Sequence, residues 1–219
     1  MKKLVLSAII GSAVAVPSIA SANSAEGVGV AVNYGLISGP AFELSYPIND
    51  LFQVRGALSA GMGLSETGSG SEISYDVKAD GGINRLSMDY HPFAGTFFMS
   101  AGYAFNDFKL KTHGTGTGSV DVGNDTFNGD VVIDGSLKWD SAPMLSLGWG
   151  HSPVQGWGAM FEVGAIFTGA GDVALSGTFD GASNSDLDAA LVDEQAKLQK
   201  DVGGYDFLPI LQAGITYRF

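Results

Sequence analysis

The sequence predicts an all-β protein, an eight-stranded antiparallel up-and-down transmembrane β-barrel with a short helix in its last extracellular loop. Three observations carry the prediction. The chain ends on an alternating strand, Leu208 to Phe219, whose apolar series Pro209, Leu211, Ala213, Ile215, Tyr217 and Phe219 shares one face. Seven further windows alternate with the same period of two. The chain opens with Lys2 and Lys3, an apolar stretch from Leu4 to Val16, and Ala20-Ser21-Ala22, the pattern of a secretory leader with its cleavage site.

The leader sets the domain division: a signal peptide over residues 1–22 and an outer-membrane barrel over residues 23–219. No later stretch is apolar for the roughly 20 residues that a spanning helix needs. An even number of strands suits a bacterial barrel. The eight windows are 27–37, 40–48, 51–65, 83–92, 95–112, 135–151, 156–177 and 204–219. Outward apolar series include Val28, Val32 and Tyr34; Phe42, Leu44 and Tyr46; Leu86, Met88 and Tyr90; and Phe97, Met99, Tyr103 and Phe105. Aromatics near the window ends are placed for interfacial girdles. Thirty-two glycines fit the crowded interior of a small barrel.

The links alternate in length. Short ones lie at Pro47–Asp50, His91–Gly95 and Ser152–Gly156, and long ones near 66–82, 113–135 and 178–204, with one tight link at Ser38–Gly39. Short periplasmic turns and long outer loops place both termini in the periplasm of a cell-outer-membrane protein. In the last loop, Leu187, Leu191 and Leu198 recur at helical spacing within Ser185–Lys200, which predicts a surface helix shielding the barrel rim, with a partner-binding helix as the alternative.

The inward positions carry Glu43, Arg55, Arg85, Asp89, Lys138, Asp140, Glu162 and Arg218, four acids and four bases. Charges inside a narrow barrel must pair, and Glu43 with Arg55 on neighbouring strands is the first pair expected. Two consequences stay open: a salt-bridged, plugged lumen, or a narrow path that orients a zwitterionic solute. The outer loops are rich in acids, among them Asp121, Asp125, Asp130, Asp134, Asp186 and Asp188, and form an anionic mouth that attracts cations. The run from Asp121 to Asp130 has calcium-binding chemistry but not the spacing of an EF-hand, so no metal site is expected.

Several function classes are excluded. A net charge of −12 lacks the basic footprint of a nucleic-acid binder. No cysteine is present for a disulfide or a lipid anchor. Of the three histidines, His91 and His151 read as turn residues and His113 as the end of a strand, so neither an enzyme nor a cofactor is expected. The expected partners are the bilayer, lipopolysaccharide, small solutes, and the barrel assembly machinery acting on the terminal signature Tyr217 and Phe219; the expected state is a monomer.

From about residue 84 the chain resembles the CarO-like, ornithine-uptake family of small outer-membrane porins, related in architecture to the OmpA and OmpW barrels. The likeness is carried by Met88-Asp89-Tyr90-His91-Pro92-Phe93, by Phe98 to Asp107, by Ala142 to Gly150, and by Gly156-Trp157-Gly158 through Thr168-Gly169. Met144 and Ser146 stand where the family form would carry Tyr and Gly. The resemblance implies a barrel with no wide continuous channel that admits small solutes, basic amino acids among them. The functional expectation is thus a narrow porin for passive uptake of basic or zwitterionic amino acids, with a closed structural or surface-interaction barrel as the alternative.

Overall fold

The structure, a computed structural model, describes residues 27–69, 73–123, 125–151, 155–180 and 184–219. The leader expected over residues 1–22 lies outside the described residues, as do Ser152–Val154 of one short turn. In chain order the elements are β1 (Gly29–Gly35), β2 (Gly39–Pro47), β3 (Phe52–Ser59), β4 (Leu64–Ser69), β5 (Ile73–Asp80), β6 (Ile83–Tyr90), β7 (Phe97–Asn106) and β8 (Lys109–Gly116). They continue with β9 (Ser119–Val122), β10 (Asp125–Asn128), β11 (Val131–Lys138), β12 (Ala142–Trp149), β13 (Gly156–Ile166), β14 (Asp172–Phe179), α1 (Asn184–Val202) and β15 (Leu208–Arg218).

Eight of the strands close a barrel in the order β1-β15-β13-β12-β7-β6-β3-β2. Every neighbouring pair is antiparallel, and the seam joins first strand to last from Gly29↔Arg218 to Gly35↔Gln212. Closure leaves no unpaired edge, which is what allows a sheet to stand in hydrocarbon. The alternation expected from sequence holds around the wall: Val32, Tyr34, Leu44, Leu58, Leu86, Met99, Leu145, Phe161 and Ile215 face out, while Ala31, Glu43, Arg55, Phe98, Met144 and Glu162 are buried inside. Such a narrow bore crowds its interior. A Cβ on the inward Gly102, Gly148, Gly164 or Gly214 would strike the backbone of the adjoining strand.

Aromatic belts mark both ends of the apolar wall. At the end nearest the termini, Phe52 stacks on Tyr90 with ring centroids 5.0 Å apart, and Phe97 meets Trp149 at 5.4 Å and Trp157 meets Tyr217 at 5.0 Å with their planes tilted. At the far end Tyr103 meets Phe105 edge-on at 5.2 Å. Each barrel strand has 7 to 11 residues, close to the roughly 9–11 that a tilted strand uses to cross a bilayer.

The distal half, away from the termini, departs from the sequence reading. Windows 51–65, 95–112, 135–151 and 156–177 each break into two strands, and the links read as long loops hold ordered structure. The five strands β14-β11-β8-β5-β4 form a second sheet, with a β9-β10 hairpin above it. Kinked glycines mark the break between β3 and β4 and the junction between β5 and β6. Gly61 (φ +77°) and Gly81 (φ +80°) sit on adjacent strands, and a side chain on either would collide with the next strand's carbonyl, at Gly81 and Asp107 respectively. Only glycine accepts both the conformation and the approach.

The helix forms over Asn184–Val202, where the leucine spacing placed it. Leu187 and Leu191 are fully buried against Val120, Val122, Phe127 and Val131, whereas Leu198 stays at the margin. Among the described residues no helix is long and apolar enough to cross a membrane.

Candidate functional site

Following the inward positions of the barrel strands from the termini upward leads to a continuous polar network at mid-lumen. Arg55 on β3 is its hub. Its Nε and Nη2 donate to Asp89 Oδ2 and Oδ1 of β6 at 2.9 and 3.0 Å, the two-pronged geometry that suits guanidinium to carboxylate. Its Nη1 donates to Glu162 Oε2 of β13 at 2.7 Å and to Glu43 Oε2 of β2 at 3.2 Å. The same guanidinium lies 5.1 Å from the centre of the Phe98 ring. One cation thus ties together four strands, and both it and its three acids are at most 2% exposed.

Two further arginines complete the charge balance. Arg85 Nη2 donates to Glu43 Oε1 at 2.7 Å and to Gln212 Oε1 at 2.6 Å, while Gln212 Nε2 donates to Glu162 Oε2 at 2.6 Å. Nearer the termini, Arg218 Nη2 donates to Gln53 Oε1 at 2.5 Å, and Gln53 Nε2 passes the chain of hydrogen bonds to Asp89 Oδ2 at 3.0 Å. Three guanidiniums face three carboxylates. Paired and hydrogen-bonded, such groups tolerate burial that would expel any of them singly.

Six of the eight residues expected to charge the lumen are therefore inside it: Glu43, Arg55, Arg85, Asp89, Glu162 and Arg218. Lys138 and Asp140 are not. Lys138 ends β11 in the distal sheet and Asp140 lies in the break before β12, both exposed, because the chain leaves the barrel between them and Ala142.

The pattern also missed participants. His91 and His151 are not simple turn residues: both are buried, at 1% and 3% exposure, and they flank Phe98 with ring centroids 5.9 and 5.8 Å away. His91 Nδ1 lies 2.8 Å from Gly95 O and its Nε2 3.1 Å from Gln53 Nε2, which assigns the proton to Nδ1. His151 Nε2 stands 2.9 Å from Glu43 Oε2, within ion-pair reach but out of line for a hydrogen bond. Ser146 and Ser100 supply hydroxyls to Glu162 and Arg55 at 2.5 and 3.4 Å; serine at an inward position of a small barrel was the available signal.

Above the charges the lumen turns apolar. Ile83, Ala104, Ala142, Met144, Ile166, Leu208 and Ile210 pack into one buried cluster, continued upward by Phe108, which stacks on Trp139 at 5.9 Å. A crevice beside Arg85 and Gln212 encloses only about 10 Å³, room for a single water. A charged layer and an apolar layer thus close the bore one after the other.

The acids of the expected mouth, Asp121, Asp125, Asp130, Asp134, Asp186 and Asp188, are all exposed on the distal half. Asp121 accepts from Thr126 Oγ1 at 2.7 Å and Asp134 lies 2.7 Å from His113 Nδ1. Among the described residues no three acids and histidines cluster as a metal site would require. On the outer face of the distal sheet Lys111 Nζ sits 3.0 Å from Asp80 Oδ2, and that hydrogen bond holds the Asp80 carboxyl below its ordinary range. Tyr217 and Phe219 close the last strand, their rings edge-on at 4.9 Å.

Acinetobacter baumannii CarO shares this architecture at a TM-score of 0.60 and 25% identity, over 90% of this chain and 100% of that one. The protein is an outer-membrane barrel similar to CarO. A. baumannii CarO2 matches similarly, with a TM-score of 0.59 and 25% identity over 88% of this chain and 98% of its own. No family model matches the chain, and no curated protein sequence does. The buried histidines of this chain are engaged in the lumen contacts described above.

Proposed function

We propose that this chain is a closed outer-membrane barrel that anchors its distal sheet, hairpin and helix on the cell surface, with both termini in the periplasm after removal of the Met1–Ala22 leader. The observation that carries the reading is the doubly sealed bore, in which Arg55 and its three carboxylates are at most 2% exposed beneath a buried apolar layer. A bilayer, lipopolysaccharide around the wall and assembly machinery docking on the strand that ends at Tyr217 and Phe219 are its natural partners; it needs no second copy to close. The test is swelling of liposomes carrying the refolded barrel in ornithine, glycine or glutamate. No swelling above protein-free vesicles is expected.

Orientation has its own test, since the chain offers no native cysteine. A membrane-impermeant maleimide should label intact cells carrying Thr117→Cys, at the tip beyond β8, and leave Asp50→Cys untouched. The reverse pattern would invert the barrel.

A second reading, a narrow uptake path for basic or zwitterionic amino acids, is favoured by the Asn33 amide and Arg85 Nε. These buried groups have no protein hydrogen-bond partner and would welcome a polar solute. The acidic distal rim would enrich cations at the entrance. Swelling that is faster in ornithine than in glutamate would establish this reading over the first.

A further inference from the structure

The outer face of the distal sheet carries a second charged constellation, unconnected with the lumen. Its register sets out rows parallel to the membrane. Directly above the far aromatic belt runs Asp80↔Lys109↔Lys138↔Asp172, and one step higher Lys78↔Lys111↔Ser136. These side chains point away from the barrel axis, because the alternate positions Ala79 and Leu110 pack on the apolar cluster within.

Two features of the rows are unusual. Lys109 faces Lys138, and Lys78 faces Lys111, so like charges stand directly opposite each other twice, an arrangement that destabilises a sheet. These four lysines are also, apart from the lumen arginines and the two lysines of α1, all the Lys and Arg residues between Gly27 and Phe219 of a strongly acidic chain. Among the described residues only Lys111 of the four has a carboxylate partner, Asp80 at 3.0 Å. Lys78 and Lys111, with Asp76, Asp80, His113 and Asp134, line an open groove of about 550 Å³.

Height identifies what neutralises the patch. Lys109 follows Phe105 of the belt by four residues. With a rise of ~3.3 Å per residue and a tilt near 45°, the break between β7 and β8 notwithstanding, four residues carry it at most roughly 9 Å above the aromatic level, within headgroup depth.

We propose that Lys78, Lys109, Lys111 and Lys138 form a docking site for the phosphorylated sugar headgroup of an outer-leaflet glycolipid of the lipid A type. The site deepens the surface-facing reading and rests on it for its biological setting. The ammonium groups of two adjacent rows supply charge-assisted donors to phosphate, and Asp80 and Asp172 bound the site on either side.

The experiment is native mass spectrometry of the purified barrel in detergent micelles with diphosphoryl lipid A, its dephosphorylated form, or inorganic phosphate as competitor. Wild type should retain the diphosphoryl lipid about tenfold better than the dephosphorylated one, as charge-assisted contacts lead one to expect. Lys78→Gln/Lys109→Gln/Lys111→Gln/Lys138→Gln should abolish that preference and Lys197→Gln/Lys200→Gln should keep it. Asp80→Asn/Asp172→Asn should strengthen it. Equal retention of the two lipids by wild type, or a preference that survives the fourfold variant, overturns the proposal; displacement by millimolar phosphate overturns it in favour of a free-anion site. Folding is checked by heat-modifiable gel mobility, and if the fourfold variant loses it, Lys109→Gln/Lys138→Gln is read instead. Micelles expose both ends of the barrel, so this result stands apart from the orientation that maleimide labelling reads.

Discussion

Arg55 illustrates how much one buried charge can organise. With its guanidinium bonded to Asp89, Glu162 and Glu43, removal strips Asp89 of its ion pair and leaves Glu43 and Glu162 to share Arg85 in a dry bore. Arg55→Met should therefore cost about 3–5 kcal/mol, the usual penalty for orphaning a buried ion. Urea unfolding in micelles measures it. Adding Asp89→Asn, which removes the acid that Arg55 pairs with two-pronged and restores the charge balance, should recover much of the loss; a cost no larger than that of Ser146→Ala would remove Arg55 as the hub. Asp80 is the contrasting case at the surface. Its folded pKa is lowered by Lys111, so the pair contributes above the ordinary carboxylate range and the contribution disappears as pH falls through the lowered value. In Lys111→Gln, the Asp80 titration followed by NMR should return toward the ordinary range. Legibility at this scale came from parity. Alternation found Glu43, Arg55, Asp89 and Glu162 because strands β2, β3, β6 and β13 are regular where they carry them. It lost Lys138 and Asp140 where the chain breaks out of the barrel, and it stopped one step short at His91, two residues past Asp89, since the adjoining Pro92 announced a turn.

Among the elements, the closed barrel was readable and the distal sheet was not. The alternation of Tyr75, Val77 and Ala79 against Asp76, Lys78 and Asp80 is as clean as that of any barrel strand, yet it sits among Gly, Ser and Asp residues that read as loop. The sheet's apolar face becomes intelligible only once α1 and the β9-β10 hairpin are seen to cover part of it. Leu187 is the centre of that cover, at 0% exposure. Leu187→Ala should cost about 2–5 kcal/mol of local stability. Because the barrel below keeps its own ladders, limited proteolysis should cut within Asn184–Val202 while heat-modifiable mobility is unchanged. Gly81→Ala, which forces a side chain into a left-handed conformation against the Asp107 carbonyl, should loosen the junction between the two sheets by about 1–3 kcal/mol. If both variants unfolded barrel and distal sheet together, the division into a rigid wall and a separately stabilised distal half would be wrong.

At the scale of the whole molecule, the two seals stand in series, and a path through the bore opens only when both are removed. The lower seal is electrostatic, a net-neutral knot of three arginines and three acids. The upper is steric, with Met144 and Ile166 at 1% exposure and the Phe108–Trp139 stack above them. Neutralising the knot with Arg55→Gln, Arg85→Gln, Arg218→Gln, Glu43→Gln, Asp89→Asn and Glu162→Gln leaves the apolar layer to exclude hydrated ions. Trimming Met144, Ile166 and Phe108 to alanine leaves the knot to fill the bore, as side chains do in an eight-stranded barrel. In planar bilayers, wild type and each partial variant should be silent, and only the combination should conduct. Conductance from the neutralised knot alone would make the charged layer the sole gate; it would shift the weight to the uptake reading, because a single set of hydrogen bonds is something a passing solute could replace one partner at a time.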